Sequence, residues 1–421
     1  MMTWTTCACK TDMAGASQGI AEQRRSGGRP PGSEGRAPDA RYRSRAGHSL
    51  GRPPCDPVAV ILPADVYLVR RQHASNLVGR VPGGAQAEGS GRYDVDLRYR
   101  RARSSLFLHR MAVGTHTQAG VVGLVPAHAF TSRLVLPHER TLPERPGQAR
   151  RDPAEPRSRW PPVLLTHRAS ADVTVLARRV ARRPPTLECT SPDGVAHTVW
   201  QVDDPPEVEE LIAAMRGAGP AYLIDGHHRV ATTLSLGPSD AVLCYLLPSD
   251  QLRLLPHHRV VSDWVPAVGD VIAALRHEFE VAVVRGPRLP TAPGEVLLSA
   301  GAGWLRARPR PPWPEALVAV RVAEQILGVL LGTGDAEHDP GVLFVPGTAT
   351  LSELNDQAHR ARGTALTFTA LTTSELMEAA DAGRLLPAKA SWAEPKPPTG
   401  LYLRPGAEAD VTGRTADNGR A

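Results

Sequence analysis

The chain has 421 residues, 42% hydrophobic and 22% charged, enough for two or three domains and ordinary for a folded protein. No apolar run approaches the roughly 18 residues of a membrane span and no apolar leader core opens the chain, so membrane partners are set aside and a cytoplasmic location is expected. Of the net charge of +6, residues 1–54 carry +5, with nine Lys or Arg against four Asp or Glu; the remaining 40 against 39 leave a nearly neutral body that gives nucleic acid little to hold.

Residues 1–54 are rich in Gly, Pro, Ser and Arg, lack an apolar period and read as a disordered basic arm, an extension without function of its own. From 55 onward short strand-like runs follow, "VAVIL", "SSLFLHRMAV" and "AGVVGLV", with the turn-rich "RVPGGAQAEGSGRYD" among them. "DVTVLARRVAR" reads as a helix or a strand–helix join. Asp193-Gly194 between two strand-like runs predicts a hairpin. "PPEVEELIAAMRGAG" carries Pro206 near its start and Gly217 at its end around helically spaced apolar residues, a bounded helix. "AYLI" then predicts a buried strand, "DGHHR" a turn and "VATTLSL" a helix, followed by strands at "AVLCYLLP" and "LRLLPHHRVV". "VGDVIAALRHEF", "ALVAVRVAEQILGVLLG" and "TTSELMEAADAG" read as helices or strand–helix units, with strands at "EVLLS" and "GVLFVPG".

Strands alternating with short helices imply a mixed α/β or α+β body. It divides into a region over 55–265, a C-terminal α/β region over 266–405, and a disordered tail over 406–421. Five cysteines without C-x-x-C spacing argue against a disulfide framework or a zinc ribbon, as expected of a reducing compartment.

The turn Asp225-Gly226-His227-His228-Arg229 carries the chemistry. A strand that ends in glycine and feeds a helix presents unpaired N–H groups and the positive end of the helix dipole, an anion site. Gly226 permits close backbone approach, and Arg229 offers a planar fork for phosphate or carboxylate. Asp225 can hold hydrated Mg²⁺ or take a proton, and His227 and His228 can donate to phosphate oxygens or shuttle protons. The opposing reading makes Asp225 a helix cap and the rest a solvated bend. Lysine occurs three times, and two of the three, Lys389 and Lys396, stand within "PAKASWAEPK". His138 and Glu139 end the strand-like "RLVLP", where an acid could deprotonate a hydroxyl. His257, His258 and Arg259 end "LPHHRVV", as a second pocket wall or a polar strand edge. No histidine pair has the helical i, i+4 spacing of a zinc helix.

These motifs together resemble the family of prokaryotic proteins known as domain of unknown function 1015. "YLIDGHHR" is similar to the family signature. "VLPHERTLPERPGQARRD" at 135–152 is similar to its His-Glu-x-Thr segment, giving His138, Glu139 and, displaced, Thr141. "DGVAHTVWQVDD", "LPHHRVV", "ILGVLLG" and the C-terminal "AADAGRLLPAKASWAEPKPPTGLYLR" follow in order, covering about 120–404. Residues 55–119 match poorly, and Ala390 interrupts the C-terminal motif between Lys389 and Ser391. The turn also resembles the phosphate box of the ParB/sulfiredoxin superfamily, which includes free-serine kinases. That resemblance implies ATP or another nucleotide with Mg²⁺ held by Asp225, and a small hydroxylated acceptor such as serine. Asp225, Glu139 and His227 would then be catalytic. Gly226, His228, Arg229, Lys389, Lys396, His138, His258 and Arg259 would bind the nucleotide. A ParB-like nucleotide switch that contacts DNA, or a member without catalysis, are the alternatives. The oligomeric state is not legible in the sequence.

Overall fold

The run AVLCYLLP at Ala241–Pro248 is buried at seven of its eight positions, the pattern of a strand covered on both faces. In the computed structural model, which describes residues 60–79, 95–140, 160–235, 241–301, 303–310, 318–331 and 338–404, this strand is central to a ten-stranded sheet. It runs antiparallel to His116–Pro126 on one side and parallel to Val163–His167 on the other. Beyond Val163–His167 lie Ala221–Asp225 and, at the edge, Val135–Pro137. Helices Ala171–Val180 and Pro205–Gly217 cover one face through Val173, Leu176, Leu211 and Met215. The other face takes Leu376 and Met377 of helix Thr373–Asp381.

A second sheet of six strands begins at His257–Val261, which lies between Thr364–Thr367 and Val342–Pro346. Helices Val268–Leu275 and Val318–Leu331 pack on one face, and Leu351–Arg360 on the other. The chain then returns to the first sheet. Glu139 bridges Leu386, Leu254–Leu255 pairs with Trp392–Ala393, and Tyr402–Leu403 pairs with Ala64–Val69.

The architecture is mixed α+β. The Asp193-Gly194 hairpin joins Leu187–Thr190 to Ala196–Val202, with Gly194 at φ 81°. The expected strand through "LRLLPHHRVV" is instead two, Leu254–Leu255 and His257–Val261, divided at Pro256, which has no N–H to give a ladder. "VAVIL" contributes only an isolated bridge, Leu62 to Leu124, within the described residues. The Pro- and Arg-rich stretch after 285 holds a strand the pattern concealed, Gly303–Pro309. The readings of 1–54, of the turn-rich 80–94, of Thr141 and of the tail fall outside the described residues.

Candidate active site

The signature strand Ala221–Asp225 pairs in parallel with Val135–Pro137, in the register Pro137 to Leu223. The two chains leave the sheet side by side, which sets His138 and Glu139 beside Asp225. Gly226 follows at φ 108°, a left-handed conformation that L side chains rarely adopt. A Cβ there would stand 2.9 Å from Val163 Cγ2 and 2.9 Å from Arg229 Nη2, so the position needs glycine on both counts. Helix His227–Leu234 starts at once and has no side-chain cap. Its first-turn N–H groups are the orphan donors of any helix start.

Lys396 reaches this turn from 171 residues away, its Nζ 2.5 Å from Asp225 Oδ1 and 3.8 Å from the centre of the Trp392 ring. Arg229 Nη2 donates to Asp225 Oδ2 at 2.7 Å, and its Nη1 donates to the carbonyls of Pro161 and Pro162. Burial alone would raise the Asp225 carboxyl, but Lys396 and Arg229 outweigh it and hold it down to about 2. Both oxygens are thereby engaged by cations. A directly held Mg²⁺ does not fit Asp225 in this arrangement. Among the described residues no three His, Cys, Asp or Glu cluster as a metal site.

Glu139 is 13% exposed, with Oε1 3.8 Å from His227 Nδ1 and Oε2 3.5 Å from His138 Nε2. Burial favours its neutral acid, yet His138, His227 and Lys389 keep its pKa below the usual glutamate value, so it is a carboxylate. His138 is wholly buried. Its Nδ1 donates to the Leu223 carbonyl at 2.6 Å, and its Nε2 is within hydrogen-bond distance of Ser391 Oγ at 3.0 Å. His227 is pushed down to about 4 by burial and is neutral, with Nε2 buried and without a hydrogen-bond partner. A cavity of about 260 Å³ opens on Glu139 and His227, its other walls largely apolar, Phe130, Leu223 and Val230 among them. His228 is exposed at the helix start.

The strand His257–Val261 supplies a further wall. His257 packs edge-on against Trp392, ring centres 5.3 Å apart, and burial with Arg259 and Lys389 pushes it to about 3. Arg259 is buried and donates to the carbonyls of His257, His258 and Lys389, with its guanidinium 4.2 Å from the Phe344 ring centre. Lys389 itself sits at φ 61°.

The structure therefore gathers His138, Glu139, Asp225, Gly226, His227, Arg229, Lys389 and Lys396. Arg229 faces inward to the proline carbonyls. Arg259 holds backbone, and His258 faces another cavity. Ser391 and Trp392 join the cluster with no role read from sequence, whereas His257 was read as a pocket wall or a strand edge. Strand alternation held the signal for His257, since it and Arg259 share a face that His258 does not.

No curated protein matches the chain. Among solved structures it is similar to a conserved hypothetical protein from Pyrococcus furiosus at 13% identity, covering 68% of this chain and 96% of that one, with a TM-score of 0.35. A variant free serine kinase in complex with ADP shows 14% identity, 67% and 92% coverage and a TM-score of 0.34. A C-terminally truncated SbnI from Staphylococcus aureus shows 13% identity, 70% and 90% coverage and a TM-score of 0.35. The family profile described as "Protein of unknown function (DUF1015)" matches residues 98–330, a span that contains the His-Glu pair and the whole signature turn. The chain belongs to the DUF1015 family.

Proposed function

We propose that the protein is a nucleotide-dependent phosphotransferase for a small hydroxylated metabolite, serine being the first acceptor to test. One observation carries the reading. Two of the chain's three lysines converge with Glu139 and a neutral His227 on an uncapped helix start. The turn would serve as a ParB/sulfiredoxin-like phosphate box, with the N–H groups after Gly226 and the Lys396 ammonium meeting phosphate oxygens. Asp225 and Arg229 would hold Lys396 and the turn in place. The acceptor would occupy the cavity beside Glu139. Its hydroxyl oxygen would attack the terminal phosphorus, the bond to the bridging oxygen would break and the nucleoside diphosphate would leave. The hydroxyl proton would pass to the Glu139 carboxylate. A pKa held below the usual glutamate value makes Glu139 a weak base that chiefly orients the hydroxyl. Lys389, which lowers the pKa of Glu139, would neutralise developing charge. The site would then draw on both regions expected from sequence, 55–265 and 266–405.

The test is nucleotide affinity and phosphoryl transfer to serine with the full chain. Lys396→Met should weaken ATP binding by about tenfold or more, as expected for a lost charge-assisted hydrogen bond. Glu139→Gln should keep that affinity and lose transfer by about a hundredfold. Failure of the unaltered protein to bind any nucleotide would remove the reading.

A further inference from the structure

His227, Val230, Ala231 and Leu234 recur at helical spacing, so the four share one stripe of helix His227–Leu234. That stripe walls the cavity of about 260 Å³ at Glu139, with Phe130 among the residues that complete it. Leu385 stands at the same cavity 50% exposed, an apolar side chain that a ligand would cover. A cavity of about 150 Å³ takes benzene, so this one has room for a ring and a hydroxymethyl group.

Two polar groups end these apolar walls. Glu139 Oε2 and His227 Nε2 are sealed off without a hydrogen-bond partner, so the 13% and 10% of the two side chains still exposed lie toward Oε1 and Nδ1. Those two atoms stand 3.8 Å apart, too far for a direct hydrogen bond. One hydroxyl oxygen between them can reach both at about 2.8 Å. The neutral ring keeps its proton on Nδ1, because an N–H at the buried Nε2 would go unmet and the Glu139 carboxylate draws the proton to its own side. A hydroxyl there donates to Oε1 and accepts from Nδ1–H. Serine fits the remaining walls poorly. Glu139 is the one acid of the described lining, and an ammonium paired with it would take the oxygen that the hydroxyl needs. Arg140, the one cation of that lining, is exposed, where an ion pair with a carboxylate contributes little. A charge carried deeper would lose its water to apolar surface.

We propose that this cavity takes an alcohol with an uncharged aromatic or branched aliphatic body, its hydroxyl held between Glu139 Oε1 and His227 Nδ1. The inference rests on the phosphotransferase reading and puts such an alcohol in place of serine as the acceptor. The alcohol oxygen attacks the terminal phosphorus of ATP, the bond to the bridging oxygen breaks, and the hydroxyl proton passes to Glu139. A phosphate monoester and ADP result.

The test titrates benzyl alcohol against the full chain by ligand-observed NMR without nucleotide, beside benzyl methyl ether and serine. The alcohol is expected to bind with a Kd of order ~1 mM, as its size allows. The ether, with no hydroxyl to give, should bind about tenfold more weakly, and serine more weakly still. Ala231→Phe, on the exposed part of the helix stripe, should fill the cavity and weaken alcohol binding by about tenfold or more. A melting curve shows whether that variant is folded, and the ether decides the matter if it is not. With ATP and Mg²⁺ added, phosphorus NMR should show benzyl phosphate ahead of phosphoserine. Absence of alcohol binding, an ether that binds as well as the alcohol, or binding retained in folded Ala231→Phe would each overturn the proposal. Preferential formation of phosphoserine would overturn it too, while leaving the phosphotransferase reading intact. A chain that binds the alcohol as expected but no nucleotide would support the alcohol site and remove that reading alone.

Discussion

The tetrapeptide His-His-Arg-Val occurs twice, at 227–230 and at 257–260, and the two copies fold differently. The first opens a helix, with His228 exposed and His227 half-buried; the second is a strand buried at every position. The preceding residue supplies much of the difference. Gly226 takes a left-handed turn into the helix, whereas Pro256 holds φ at about −65° and withholds an N–H. The arginines diverge accordingly. Arg229 reaches back one turn to Asp225, while Arg259 folds onto the carbonyls of its own strand and of Lys389. Identical side chains serve a polar site in one setting and a wall in the other, because local backbone decides what each can reach.

The comparison breaks most sharply at Gly226. Gly226→Val should cost about 3 kcal/mol, from a disallowed backbone conformation and a clash with Val163, measured as a fall in denaturation midpoint. Pairing the arginines sharpens it. Arg259→Met should cost about 2–3 kcal/mol because three carbonyls lose a buried donor, and Arg229→Met less, since Lys396 still answers Asp225. Equal costs in chemical denaturation would contradict the assignment of the two roles. The smallest effect is on acid stability. Asp225 has a folded pKa of about 2, below the unfolded value of about 3.9, so its contribution is complete above that value and fades as pH falls toward 2. Stability measured from pH 5 to 2 should show a loss of about 1–2 kcal/mol that Asp225→Asn lacks.

Much of the scaffold was legible. The Asp193-Gly194 hairpin, the proline-led helix Pro205–Gly217 and the strand–turn–helix of the signature carry their own punctuation. Helix Leu351–Arg360 was not read, although Thr350 and Glu353 form a capping box, because its apolar stripe is narrow and the adjoining strand dominates the eye. Within the candidate site, residue types drew attention to the signature turn, but directions did not follow from them. That Arg229 turns toward Pro161 and Pro162 depends on a segment distant in sequence. That Ser391 meets His138 across 253 residues has no local signature at all.

The return of the last segment to the first sheet has a consequence for synthesis. Glu139, Asp225 and His227 are all made well before Lys389, Ser391 and Lys396, and the loop that must close between Asp225 and Lys396 spans 171 residues. Long-range closure comes late in folding, after local structure has formed. A growing chain can therefore complete most of its first sheet while the turn still lacks its lysines. The turn has its full set of partners only once the last segment has returned, the segment whose final described strand pairs with Ala64–Val69, the first one.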